Sequence, residues 1–256
     1  MKQARLHFYA ELKDFVAPSA SAQNKIIVHN FKRRASIKDV IESYNVPHPE
    51  IDLIIVNGVS VDFSYIVQND DDIHVHPANA LIKPISIAPL RHLSPRLSGE
   101  PRFIVDVNLG RLARYLRLLG FDSLYRNNFD DKTIAEISGK TQRIVLTRDR
   151  KLLQRKIIDY GYFVRAETPK IQVREVLAKF NIYRFFKPLT RCTSCNGDLK
   201  QTEKQNITHR LKPMTKKHYA EFSICSDCNQ IYWQGSHSAR VARLIRDLSK
   251  TGNPFS

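Results

Sequence analysis

The chain has 256 residues, enough for two or three domains, and a 42% hydrophobic content that excludes wholesale disorder. No apolar run approaches the roughly 18–20 residues needed to span a bilayer, and the amino-terminal MKQARLHFYAELKD lacks the apolar stretch of a secretory signal, so a soluble cytoplasmic protein with no membrane partner is expected. The formal net charge is +16, yet residues 1–80 carry 8 basic and 10 acidic groups against 30 and 14 for residues 101–256, which predicts a polyanionic partner for the C-terminal part.

Residues 5–9 (RLHFY) and 25–29 (KIIVH) read as paired strands. Ser36 caps a helix carrying Ile37, Val40 and Ile41 that ends near Tyr44-Asn45. Residues 53–56 (LIIV) lead into the turn pair Asn57-Gly58, and residues 73–76 (IHVH) close the unit after the acidic turn Asp70-Asp71-Asp72. This order predicts an α+β β-grasp over residues 1–80. Five of the twelve prolines fall between Pro77 and Pro101, which predicts an extended linker at 81–100.

From Phe103 the rhythm becomes strand–helix alternation. Residues 103–106 (FIVD) form a strand, Asn108 caps a helix with Leu109, Leu112, Ala113, Leu116 and Leu119 on one stripe, and Gly120 stops it. Residues 122–125 and 143–147 (RIVLT) give further strands around a helix with Ile134 and Ile137. A helix from Arg150 to Tyr160, a strand at 162–166 and a helix at 171–180 follow. The pattern predicts an α/β parallel-sheet core over 101–185. The module at 186–256 ends in a basic helix around 238–250.

Open parallel sheets bind ligands at the carboxyl ends of their strands. Asp106 ends FIVD, Asp149 follows VLT, and Asp131 opens the intervening helix; three such carboxylates suit a hard divalent cation, Mg2+ or Mn2+. Helix capping is the plainer account of Asp131 and Asp149 taken singly. Arg111 and Arg114, off the apolar stripe, and Arg148 and Arg150, beside the third strand, are candidate phosphate contacts; for Arg117 a solvated face is the plainer reading. The four cysteines, Cys192, Cys195, Cys225 and Cys228, form two C-x-x-C pairs 29 residues apart. In a cytoplasmic chain this predicts tetrahedral ligation of a structural Zn2+ with no open position. Trp233 and His237 are candidate nucleic-acid contacts beside it.

Residues 102–237 resemble the C-terminal RNase domain of the Mut-seven proteins, a branch of the PIN-like nucleases. The resemblance rests on FIVDVNLGRLARYLRLLGFDSLY, RIVLTRDRKLL, RCTSCNG and FSICSDCNQIYWQGSH. It implies a PIN-like core with a C-terminal zinc ribbon, metal binding by Asp106, Asp131 and Asp149, and hydrolysis of RNA. Asp130 and Asp122 are alternatives for the middle acid, and Glu167 is a candidate fourth. Residues 3–77 resemble the ubiquitin-like domain that precedes this RNase domain, through EL-x-DF, VPHPEID, VNG and D-x-IHVHP. Related sulfur carriers act through a free C-terminal Gly-Gly; here the chain continues past Pro77, so a protein partner or a substrate-positioning role is implied instead. The expected partner is RNA, structured RNA such as tRNA included. A non-catalytic RNA-binding adaptor and a nuclease for single-stranded DNA are the alternatives.

Overall fold

The computed structural model describes residues 1–16, 26–78, 90–97, 99–233 and 243–248. In chain order, β1 (Lys2–Phe8), β2 (Ile27–Phe31), α1 (Ile37–Ser43), β3 (Ile51–Val56), β4 (Val59–Val61) and β5 (Asp72–Pro77) come first. Then follow β6 (Arg102–Val105), α2 (Gly110–Leu118), β7 (Asp122–Leu124), α3 (Asp131–Thr141), β8 (Ile144–Thr147), α4 (Arg150–Leu153), β9 (Gly161–Phe163) and α5 (Pro169–Phe180). The last named elements are β10 (Leu199–Thr202), α6 (Lys204–Ile207), α7 (Pro213–His218), β11 (Phe222–Cys225) and β12 (Ile231–Trp233). No helix among the described residues is long and apolar enough to cross a membrane. The chain divides into two compact units: Met1–Ser98 with Asp131–Phe163, and Gly99–Asp130 with Val164–Ser256.

In the first unit, β1 to β5 form one sheet in the order β2-β1-β5-β3-β4, with β1 and β5 parallel and the other pairs antiparallel. This is a β-grasp. Ser36 caps α1 as expected, its hydroxyl accepting from Asp39 N at 3.1 Å, and Asn57 and Gly58 take positive φ at the β3–β4 turn. Ile37, Val40 and Ile41 of α1 bury against Leu6, Ile54 and Ile73 of the sheet; full burial of each such side chain is worth about 1.5–3 kcal/mol. The acidic turn is not a solvated loop. Asp71 is buried and accepts from Asn57 Nδ2, Tyr65 OH and Gln68 N, tying the turn to the neighbouring hairpin. The described part of the Pro-rich stretch has no regular element but follows the sheet edge: Leu93 N donates to Asp52 O at 2.7 Å, and His92 and Ser94 bond the Asp52 carboxylate.

The same unit packs its β-grasp against α4 and the loop to β9. His48 is buried, with Nδ1 2.7 Å from Glu42 Oε1 and Nε2 2.9 Å from Ile158 O. Buried Glu50 accepts from Phe163 N at 2.6 Å, and Gln154 Nε2 donates to Glu42 O. Removing one partner of such a buried pair leaves the other desolvated and unbonded. We therefore expect His48→Ala to lower stability by about 2 kcal/mol, read as a shifted urea midpoint; an unchanged midpoint would show that the contact contributes nothing.

The parallel strands pair as β6 with β7, in the second unit, and β8 with β9, in the first. Two helix boundaries differ from expectation. Asn108 does not cap α2: residues Val107–Leu109 form a 3-10 turn with Asp106 at its N-cap, and α2 starts at Gly110. The helix after Asp149 ends at Leu153, because the chain turns to bury Ile158 and to bring Tyr160 O to Val145 N at 3.0 Å; Gly161 opens β9 instead of closing a helix. Gly120 does stop α2, at φ +96°, where an added Cβ would lie 2.2 Å from Lys187 O. The described part of the expected C-terminal basic helix is helical at 243–248, and the rest of it lies outside the described residues.

Candidate functional site

Strand ends position the acids. Asp106 follows β6 directly, is buried, and makes no side-chain bond to the turn it caps. Asp149 lies two residues past β8; its Oδ1 accepts from Lys151 N at 2.7 Å and its N–H donates to Thr147 Oγ1 at 2.9 Å, so it caps α4 and is held rigidly. Asp131 opens α3 half-exposed, its Oδ2 4.0 Å from Arg155 Nη2. Asp106 belongs to the second unit, Asp131 and Asp149 to the first. Glu167 is exposed after β9.

The arginines divide into two kinds. Arg111 and Arg114 are exposed on α2, on the face opposite buried Leu112, Ala113 and Leu116. Arg148 is exposed beside Asp149. Arg150, expected to hold phosphate, instead donates to Phe15 O at 3.1 Å and to Asp14 O, with its guanidinium carbon 5.2 and 5.6 Å from the Phe15 and Phe163 rings. Cation–π and carbonyl contacts make it a clamp within the first unit. Arg117 is also no solvated residue: it is buried and donates to Ser123 O, Tyr125 O, Thr193 O and Ser194 O, joining β7 to the first cysteine loop. Burial lowers its pKa.

Within the second unit an open cleft of about 1900 Å³ brings Arg111 and Arg114 together with Trp233, which is 42% exposed. That volume exceeds the roughly 300–1,000 Å³ of small-molecule pockets. Lys170, Tyr219 and Arg243, which no motif in the sequence marks, line it too, as do the carboxylates of Glu203, Glu221 and Asp247. Charge alone therefore does not mark the cleft; the paired rings of Tyr219 and Trp233, 6.3 Å apart, add a stacking surface. His237 lies outside the described residues.

The four cysteines converge behind this cleft, with every Sγ within 4.8 Å of the others. Cys192 and Cys228 are 3.6 Å apart, Cys195 and Cys225 3.4 Å, close to the ~3.8 Å edge of a tetrahedron with 2.3 Å metal–sulfur bonds. The knuckle is built for thiolates. Gly197 N donates to Cys195 Sγ and Asp227 N to Cys225 Sγ. A Cβ on Gly197 would meet Cys225 Sγ at 2.9 Å. Tyr232, a residue of β12, turns its hydroxyl to Cys192 Sγ at 3.1 Å and accepts from Thr193 N, which ties β12 to the first cysteine loop. Burial pushes the Cys192 thiol up, but the Tyr232 hydroxyl and the backbone N–H groups of Cys195 and Ser194 outweigh it and hold the pKa down to about 6. Burial, and then the neighbouring sulfurs, push Cys195 up to about 12. One thiolate thus opposes the next, and a bound cation would relieve that opposition. Asn196 ties the loop to β7, its Oδ1 accepting from Ser123 N and its Nδ2 donating to Asp122. Asp122, the alternative middle acid, opens β7 and accepts this bond on one carboxylate oxygen.

Residues 101–245 match the family model of the Mut7-C RNAse domain, and residues 1–83 that of the Mut7-C ubiquitin domain. Neither the curated proteins nor the solved structures compared with the chain gave a match.

Proposed function

Because the chain belongs to the Mut7-C RNase family, we propose that it is a ribonuclease whose reaction depends on Mg2+ or Mn2+ held by Asp106, Asp131 and Asp149. The observation that carries this reading is the family match over 101–245, with Asp106 directly after β6 and Asp149 two residues after β8. Their all-oxygen donor set fits a hard cation. When bound, such an ion supplies Lewis acidity and lowers the pKa of water. The chain's own part is to fix the carboxylates: β6 sets Asp106, and the cap bond to Lys151 N sets the Asp149 rotamer. Asp130 and Asp131 compete for the middle role, with Glu167 as a fourth ligand. In the same reading the cysteine cluster holds a structural Zn2+, as a zinc ribbon of this family would.

RNA enters through the cleft. Arg111 and Arg114 neutralise phosphates and Trp233 stacks on an unpaired base; Arg148 and His237 are further candidate RNA contacts, each taken from its place in the sequence. Arg114→Ala should weaken RNA binding and reduce the slope of log affinity against log salt by about one unit. Fluorescence anisotropy across a salt series measures both. An unchanged slope would remove Arg114 from the phosphate path. Cleavage itself is tested by incubating the purified protein with RNA and single-stranded DNA at matched metal, which also distinguishes the nuclease from a silent adaptor.

A further inference from the structure

Among the described residues a second group of metal-binding side chains converges, far in character from the nuclease acids: His7, Asp72 and His74, with donor atoms all within 4.8 Å of one another. We propose that these three residues bind a zinc-class divalent transition cation on the β-grasp sheet, a site separate from both the cysteine cluster and the acids of the RNase domain.

The site follows from strand register. Side chains two apart on a strand share a face, and directly paired residues on neighbouring strands lie side by side. β1 and β5 run parallel with His7 opposite His74 and Arg5 opposite Asp72. Asp72 and His74 therefore share one face of β5 with His7 beside them on β1, although 65 residues separate His7 from Asp72 in sequence. His7 Nε2 is 2.9 Å from Asp72 Oδ1 and His74 Nε2 is 3.2 Å from Asp72 Oδ2. The two imidazoles stack, with centroids 4.4 Å apart and planes within 9°. Both Nε2 atoms thus face one carboxylate, where a cation would take the place of the bridging protons.

Two features favour an ion over a plain hydrogen-bond network. Tyr9 OH lies 2.7 Å from His74 Nδ1. A ring nitrogen bonded in this way fixes the imidazole so that its other nitrogen is presented to a metal, and the hydroxyl serves as donor or acceptor for either tautomer. The side chains also stay partly exposed, 22% for His7, 34% for Asp72 and 30% for His74, so water can complete the coordination shell. Two imidazoles and a carboxylate select zinc, copper or nickel over magnesium. The opposing feature is Arg5, whose Nε is 3.2 Å from Asp72 Oδ1; it is more than half exposed and can turn to solvent when an ion neutralises the carboxylate.

The test uses the full chain, titrated with Zn2+ against a chromophoric chelator, and then with Co2+. The wild type should take two transition-metal equivalents per chain, one giving the intense thiolate–cobalt bands of the cysteine cluster and a weaker one without them. His7→Ala and His74→Ala should each weaken the second equivalent at least tenfold and leave the thiolate bands unchanged. Asp72→Asn should weaken it less. If a variant does not fold, the wild type decides: Zn2+ added after the cysteine site is filled should move the ring resonances of His7 and His74. Uptake of only the thiolate-bound equivalent, unmoved ring resonances, or a second equivalent that survives in both histidine variants overturns the proposal and leaves a hydrogen-bond network only.

Discussion

Asp149→Asn, and separately Asp106→Asn, should each lower RNA cleavage by roughly a thousandfold, several kcal/mol of lost transition-state stabilisation. The carboxylates differ in what else they do, which makes the pair informative. Asp149 caps α4, but an asparagine Oδ1 can accept from Lys151 N equally well, so the fold is kept while one metal-binding charge is lost. Asp106 is buried after β6 and makes no cap bond of its own, so an isosteric amide alters charge and hydrogen bonding with little change of volume. RNA affinity should stay near the wild-type value in both, because the phosphate contacts are assigned to Arg111 and Arg114 on α2. Circular dichroism and a binding curve accompany the rate measurement. Activity within a few-fold of wild type in both variants, in properly folded protein at matched metal, would remove these acids from the reaction.

The second large effect belongs to the cysteine cluster. Cys225→Ser should release about one zinc per chain and unfold the region that β10, β11 and β12 build, since ligands and local fold depend on each other. Among the described residues the apolar alternative to the metal is small: Ile207, Phe222 and Ile231 are its buried cluster, with Leu211, Tyr219 and Ile224 partly buried against it. A core of that size holds too little apolar surface to stabilise three short strands alone. Structural zinc contributes an apparent ~10–16 kcal/mol in comparable small modules. Loss should spread to β7, because Arg117 and Asn196 bond that strand to the first cysteine loop. Metal analysis and limited proteolysis read the result. A variant that keeps its zinc and its protease resistance would contradict the assignment.

Much of the fold was legible because its signals are local. Ser36 before Ile37, the Asn57-Gly58 turn, and strand–helix alternation from Phe103 each declare their structure within a few residues. The two C-x-x-C pairs declare by spacing alone the convergence of four thiols that the fold shows. What escaped depends on contacts distant in sequence. Arg117 and Arg150 are alike in the sequence, yet one is consumed by carbonyls about 77 residues away and the other by Phe15, 135 residues away. Ile158 and Tyr160 end the helix after Asp149 through tertiary burial and a bond to β8, and no helix stop signal precedes them. His7 and His74 meet only because β1 and β5 pair in parallel. The alternation of Arg5, His7 and Tyr9, and of Asp72 and His74, was the available clue that these groups share strand faces.

The proposed activity is hydrolysis of RNA with a carboxylate-bound metal. Zinc-loaded wild-type protein, freed of other metals, should leave a labelled single-stranded RNA intact and cleave it on addition of Mn2+ or Mg2+, with the Asp149→Asn variant inactive in parallel. An RNA that stays whole in both metals, or one cut at the same rate with no metal added, would rule out a metal-dependent ribonuclease.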